Sequence, residues 1–471
     1  MIADEPSPIL GRYHTATSRL ESLIEATPTP GDTSREAVRE RATFRMERLR
    51  RFLDRIGNPH IGYPIVHVGG TSGKGSTSST ITSILSAAGF NTGLHTSPYL
   101  QTPAEKLQCN GALISAATYV QLCDVLFGAL DDWIESGEVP VTYGEAWFAL
   151  SALYFREMAV DIAVLEVGAG GRFDLTNVVE PVVSVITSVG IDHTSTLGST
   201  KAEIAWHKAG IVKRGVPAVT AVTIPEALEV IVTEAEACEA PLTIVDPTVS
   251  VTSVATDIHG TGWTDTRTGF RHHIALCGKF QASNGATALA AIEALRGLGF
   301  FISDEAIERG LQTVRIPGRV ELIEDTCLVM LDGAHNAEKV AALAADVPHL
   351  LPVQTGGLRI AVLGVLEAKQ ALEMVSSLVP VIDVLVATSP VVTAKEVKDA
   401  SAMAAIAKLA GFDGPVWLEP DPRQAIARAL LLAGDDDRNA VFVTGSLYLV
   451  GNIRERWYRG DEIVLAQSSW P

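Results

Sequence analysis

A two-domain α/β fold is what this chain predicts, and three observations predict it. An apolar run from Pro64 to Val68 passes directly into the glycine-rich stretch GGTSGKGST, and a helical pattern follows. The runs DIAVLEV and PVVSVIT are continuously apolar, as expected of parallel strands buried on both faces. Past Val314 strands and helices alternate again, through TCLVMLDG, LRIAVLG, VIDVLVAT, VWLEP and AVFVTG, which reads as a second α/β unit. Pro317-Gly318, between a helix and a strand, is the expected linker, dividing the chain into 1–316 and 317–471.

The 471 residues are 47% hydrophobic and 20% charged, enough to bury sizeable cores in two or three domains. A formal net charge of −18 argues against a broad nucleic-acid or acidic-membrane surface, because both need clustered Lys and Arg. No apolar run approaches the roughly 20 residues that span a bilayer. The start, MIADEPSPIL, lacks the basic flank and apolar centre of a secretion signal, so a cytoplasmic protein is expected. The five cysteines are scattered without a C-x-x-C, which suits core thiols better than disulfides or a zinc site.

In chain order, residues 1–32 are polar and proline-rich, and a loosely held lead-in is expected. Helical spacing runs from Ser34 to Ile56 with a basic face assigned to solvent, and Asn58-Pro59 ends it. After the glycine loop and its helix, Asn91–Leu94 can form a strand, and HTSPYLQTPAEKLQCNG is a long polar excursion of the kind that carries function. Thr200 and Glu203 have capping-box spacing, opening a helix that ends at Gly210. Residues 241–276 read as a small antiparallel excursion with GTGWTDTRTG as turn material. FQASNGATALAAIEAL is helical, and later helices are expected from Glu338 and from Lys395.

The chemistry gathers where the strands end. Gly69, Gly70, Gly73 and Gly75 let the backbone curl with its N–H groups inward, Lys74 supplies a point charge for phosphate oxygens, and Ser76 or Thr77 can offer a hydroxyl to Mg²⁺. The spacing departs from the strict G-x-x-x-x-G-K-[ST] loop, since Gly75 stands between Lys74 and Ser76. Glu166 closes one apolar run, and Asp192 and His193 lie just beyond the next. In open parallel sheets ligands bind outside the carboxyl ends of the strands, so Ser76, Glu166 and His193 are expected to converge. By sequence physics alone Lys208 is a cation near a helix C-terminus, complementing the macrodipole by about 0.3–1 kcal/mol.

These motifs, in this order from about Ile56 to Arg456, resemble the folylpolyglutamate synthase and dihydrofolate synthase family within the Mur ligase superfamily. HVGGTSGKGST is similar to the family's G-T-N-G-K-G-S loop with Ser72 in place of Asn. LEVGAGGRFDLTNVV, DHTSTLGSTKAEIAWHKAGIVK, PGR, LDGAHN, LGVL and VTGSLYLVG match further family signatures. The resemblance implies a phosphate-loop ATPase domain with a mostly parallel sheet, then a smaller Rossmann-like glutamate-ligase domain. It implies that Gly73, Lys74, Gly75, Ser76 and Thr77 hold the phosphates of ATP, with Asn284, Arg319 and Asp332 contacting the nucleotide. It implies Mg²⁺, in two ions, on Ser76, Glu166, His193 and a carbamylated Lys208, and it sets His335 where nucleotide and incoming amino acid meet. Lys74, Lys208 and His335 are thereby the catalytic candidates. The implied partners are L-glutamate with dihydropteroate or reduced folates, acting on a monomer, with no nucleic acid or membrane.

Four positions depart from the family pattern: Tyr99 for His, Lys106 for Arg, Phe280 for the His before Gln281, and no Arg after the proline of TSPVVTAKE. They bear on the carboxylate acceptor and leave the ATP and metal positions intact. Two other readings stay open: a Mur-type amino-acid ligase acting on another carboxylate, and a phosphate-loop NTPase serving as a regulatory module.

Overall fold

The computed structural model describes residues 7–25, 34–393, 395–434, 436 and 438–471. Its described residues form two units. One comprises the chain up to Ser250 with Ser283–Leu311 and Asp461–Pro471; the other comprises Val251–Ala282 and Gln312–Gly460.

The first unit is built on eight strands: β1 (Ile65–Gly69), β2 (Thr92–His95), β3 (Leu107–Cys109), β4 (Ala112–Leu113), β5 (Ile162–Glu166), β6 (Val183–Ile186), β7 (Ala218–Thr220) and β8 (Leu242–Ile244). Their order is β4-β3-β2-β5-β1-β6-β7-β8. From β2 to β8 neighbours run parallel; the β3 and β4 edge is antiparallel. β1, β5 and β6 are buried along their whole length, which explains their unbroken apolar sequences. Because β1 lies between β5 and β6, a crevice opens at its carboxyl end, where connections leave toward both sides of the sheet.

One face of this sheet is covered by α1 (Pro8–Glu25), α2 (Arg35–Arg55), α4 (Ala116–Glu135) and α5 (Tyr143–Glu157), while α3 (Lys74–Ala87) follows β1. Most of the expected lead-in is thus a helix. Its Leu10, Tyr13, Ala16 and Leu20 form a buried stripe in the core with Tyr119 and Phe52, and that apolar face outweighs the polar composition around it. The ends of the lead-in, 1–6 and 26–33, lie outside the described residues. Ser34 caps α2 by accepting the N–H of Ala37 at 3.4 Å. The basic face of α2 is not wholly solvated: Arg48 is buried and binds Glu145 through two hydrogen bonds of 2.8 and 2.6 Å.

In the second unit β9 (Val251–Asp257), β10 (Gly260–Asp265) and β11 (Arg271–Ile274) form an antiparallel sheet. GTGWTD is therefore strand rather than turn; Trp263 drives this by burying its ring against His272, and the turn falls at 266–270. The other strands are β12 (Glu321–Glu324), β13 (Leu328–Leu331), β14 (Arg359–Leu363), β15 (Val384–Ala387), β16 (Val416–Leu418) and β17 (Ala440–Thr444), in the order β12-β13-β17-β14-β15-β16. All but the β12–β13 pair are parallel, the Rossmann-like arrangement expected. The helix expected from Lys395 begins instead at Ala400, where Asp399 accepts the N–H of Ala402 and sets the start.

Candidate active site

The phosphate loop is tied down by the residues that follow β6. The N–H of Thr71 binds the carbonyl of Ser188 at 3.0 Å, and the N–H of Ser72 binds the Ser188 hydroxyl at 2.8 Å. Thr187 and Ser188 both donate their hydroxyls to the Ser72 carbonyl, at 2.6 and 2.9 Å. Gly70 is forced by this contact, since a Cβ there would collide with the Thr187 hydroxyl. Gly73, at φ +82°, is the N-cap of α3 and brings no capping side chain. The first N–H groups of this 14-residue helix, together with its dipole, are left for an anion. Lys74 opens the helix partly exposed, and no described residue gives it a hydrogen bond or ion pair.

Two side chains from elsewhere in the chain lie against the loop. A Cβ on Gly75 would sit 3.6 Å from Glu166 Oε2, so the carboxylate at the end of β5 lies against the loop. The same oxygen accepts the N–H of Ser97 at 3.1 Å. Asn284, in the helix Phe280–Gly297, lies so close to Gly73 that a Cβ would strike its Oδ1. Ser76 and Thr77 are buried in the first turn of α3, and Thr77 Oγ1 has no hydrogen-bond partner among the described residues. Hydroxyl and carboxylate oxygens beside a helix N-terminus fit a hard divalent cation that shares its shell with phosphates and water.

His193 stands apart from this group in its setting. It is exposed, with a left-handed φ of +51°, and caps the short α6 (Thr194–Leu197). Among the described residues no three His, Cys, Asp or Glu side chains gather as metal ligands. Lys208 lies in the last turn of α7 (Lys201–Ala209), where the capping box of Thr200 and Glu203 is present as expected. The residue is 2% exposed.

Asp332, Arg319 and His335 come together within the second unit. Asp332 is buried; its two oxygens accept the N–H groups of Val320 and Ala334 at 2.9 and 2.8 Å. Burial pushes its carboxyl up, against the lowering effect of the nearby Arg319 charge. Gly333 carries no side chain because a Cβ would collide with the Arg319 guanidinium. His335 Nδ1 donates to the Gly333 carbonyl at 2.8 Å, and its Nε2 faces Lys339 Nζ at 3.3 Å. Burial, helped by the Lys339 charge, lowers the His335 pKa to about 3 and keeps the ring neutral.

The three departing side chains have distinct surroundings. Tyr99 donates its hydroxyl to Glu21 at 3.2 Å. Lys106 is buried with its ammonium 4.1 Å from the Trp147 ring centroid, and burial lowers its pKa to about 7. Phe280 packs on the apolar core of the second unit. Sequence reasoning did not single out Ser97, Thr187, Ser188 or Lys339, which fix the candidates in place. Of these, only the hydroxyl pair directly after β6 carried a local signal.

Residues 68–292 match the Mur ligase middle domain family, and residues 318–447 match the Mur ligase, glutamate ligase domain family. The chain is 36% identical over 421 residues to the dihydrofolate synthase/folylpolyglutamate synthase of Bacillus subtilis, covering 87% of this chain and 94% of that one. Its fold is similar to the folylpolyglutamate synthase of Mycobacterium tuberculosis solved with ADP and AMPPCP, with a TM-score of 0.80, 28% identity and coverage of 94% and 98%. It is also similar to a bifunctional folylpolyglutamate synthase/dihydrofolate synthase solved with Mn, AMPPNP and L-glutamate, with a TM-score of 0.72, 27% identity and coverage of 87% and 93%. A glycine loop anchored after β6, with Glu166 at its side, is thus carried by a chain that belongs to the dihydrofolate synthase/folylpolyglutamate synthase family of Mur ligases.

Proposed function

We propose that the protein is an ATP-dependent ligase that joins L-glutamate to a pteroate or folate carboxylate through an acyl phosphate. The observation that carries this reading is the contact between Glu166 and Gly75, which sets an anionic oxygen beside an uncapped helix start and a free-standing lysine. A carboxylate is a poor acylating agent. Its oxygen first bonds to the γ-phosphorus of ATP as the bond to the β–γ bridging oxygen breaks and ADP leaves. The glutamate amine, having lost a proton, then bonds to the acyl carbon, and phosphate departs with the carboxylate oxygen.

Phosphoryl transfer of this kind needs charge neutralised and oxygens held in line more than it needs covalent chemistry. In this reading the backbone of Gly73, Gly75 and the first turn of α3 cradles the phosphates. Lys74 carries the matching charge. Ser76 and Glu166 would hold one Mg²⁺, and His193 with a carbamylated Lys208 a second; such ions supply Lewis-acid neutralisation of phosphate oxygens. The burial of Lys208 supports its assignment, because a carbamate there would be shielded from bulk water. Asn284, Arg319 and Asp332 are assigned to the nucleotide. His335, held neutral with its Nε2 facing Lys339, is assigned to the place where nucleotide and incoming amino acid meet. The first unit is read as the ATP-binding domain and the second as the glutamate-ligase domain, in a cytoplasmic monomer that binds neither nucleic acid nor membrane.

Purified protein with ATP, Mg²⁺ and L-glutamate, offered dihydropteroate and tetrahydrofolate separately, tests this. Formation of a glutamylated product with ADP release is expected for at least one acceptor. ATP turnover independent of both carboxylate and glutamate would point to a nucleotide switch and overturn the ligase reading.

A further inference from the structure

Arg454 and Glu321 form an ion pair whose side chains are 0% and 6% exposed. Arg454 Nε reaches the two carboxylate oxygens at 3.0 and 2.8 Å, and Nη2 reaches Oε1 at 2.8 Å. Arg454 ends the helix Leu447–Arg454 after β17, and Glu321 opens β12. Neither has a part in the chemistry above. A buried pair is a weak source of net stability, since desolvation consumes much of its attraction. Its geometry has a second consequence.

Glu321 Oε2 also accepts the N–H of Gly318 at 2.8 Å, one residue before Arg319. On the other side of Arg319, Val320 holds a left-handed φ of +46°, a conformation that a β-branched residue takes only under constraint. There the N–H is bound by Asp332 at 2.9 Å. The Gly318 carbonyl accepts the N–H of Gly333 at 2.9 Å, against which the Arg319 guanidinium rests. The turn Pro317–Val320 is therefore pinned on both sides of Arg319 by buried carboxylates, and one of them is aligned by Arg454.

We propose that Arg454 is a positioning residue for Arg319: by orienting Glu321 it fixes the strained turn and so aims the Arg319 guanidinium at the nucleotide. Wholly buried, Arg454 itself does not touch the nucleotide. This inference rests on the assignment of Arg319 to ATP, and the test separates the two.

The dissociation constant of AMPPNP is measured by calorimetry on the full chain. Variants are Arg319→Ala, the apolar replacement Arg454→Met/Glu321→Leu, and the three substitutions combined. The apolar replacement should fold, because it leaves no unpaired buried charge. It should weaken AMPPNP at least about tenfold, the scale of one lost charge-assisted hydrogen bond. The combined variant should bind no worse than Arg319→Ala alone, since both changes remove one contact. If Arg319→Ala leaves affinity unchanged, the assignment of Arg319 fails and the inference with it. If Arg319→Ala weakens binding while the apolar pair stays within about twofold of the parent, or if the effects add, the positioning role is overturned and the assignment stands. Should the apolar pair not fold, Arg454→Lys carries the same comparison, keeping the buried charge while losing the forked grip that aligns Glu321.

Discussion

Lys339 Nζ stands 3.3 Å from Nε2 of His335, and this contact assigns the ring's proton. An ammonium group can only donate, so Nε2 accepts; Nδ1 faces the Gly333 carbonyl and must carry the hydrogen. Burial and the Lys339 charge together hold the His335 pKa at about 3. A proton-sensitive NMR signal of His335 should therefore show no titration between pH 9 and about pH 5. Titration near the ordinary histidine value would refute the neutral assignment.

Stability follows the same shifts with a definite sign. His67, His95 and His335 are each lowered to about 3 from 6.5, in every case chiefly by burial. The unfolded chain thus binds protons that the folded chain refuses. Stability from this source is complete above pH 6.5 and is lost progressively as pH falls from there toward 3. Denaturant midpoints measured from pH 7.5 down to 5 should decline steadily; a flat profile would contradict the burial argument.

Lys74 makes no hydrogen bond or ion pair with a described residue, so Lys74→Ala should leave the melting temperature within a degree or two, on the order of an ordinary surface change. Turnover should fall at least about 10³-fold, the scale of losing a principal transition-state charge. Near-normal turnover in a folded variant would remove Lys74 from the mechanism.

Glu166 and His193 make unequal claims on a metal. Glu166 lies against the phosphate loop, whereas His193 is exposed at the cap of α6. Glu166→Gln should raise the Mg²⁺ concentration needed for half-maximal turnover by at least about tenfold, since Mg²⁺ relies on one or two carboxylates beyond phosphate and water. His193→Ala should raise it as well, by less. Unchanged metal dependence in both variants would dismiss the cation site.

Arg48 offers a check on the first unit that is independent of chemistry. Its bidentate partner Glu145 is fully buried, so Arg48→Met strands a carboxylate and should cost roughly 3–5 kcal/mol. Arg48→Met/Glu145→Leu should recover most of that loss in denaturant titrations. Equal instability of both variants would mean that the pair is not the source.

These residues also show what the sequence could convey. The loop after β1 and Glu166 at the end of β5 were legible because an apolar run and the residue ending it are adjacent in the chain. Helix α1 was not: Leu10, Tyr13, Ala16 and Leu20 form a stripe, but polar neighbours diluted it below the surrounding composition. Arg48 looked like one of many solvated cations, since nothing near it announces a carboxylate 97 residues away. Arg454 and Glu321, 133 residues apart, were invisible for the same reason. Local physics placed Lys208 in the last turn of its helix, where it lies, but could not tell that the side chain there is buried.

Lys208 is accordingly the sharpest remaining test. A second Mg²⁺ would need a further anionic oxygen, because Mg²⁺ prefers oxygen donors in octahedral geometry. An amine cannot supply one. A carbamate formed with CO₂ has the charge, and the 2% exposure of the side chain protects it from water. Lys208→Ala should lose most of its turnover, with partial recovery on adding acetate, whose carboxylate can enter the vacated space. A role confined to the helix end predicts a stability change of about 0.3–1 kcal/mol and no recovery. Mass spectrometry of the intact protein under bicarbonate should reveal an added CO₂ that Lys208→Ala abolishes. An enzyme fully active after exhaustive removal of CO₂ and bicarbonate, with an unmodified Lys208, would end the proposal.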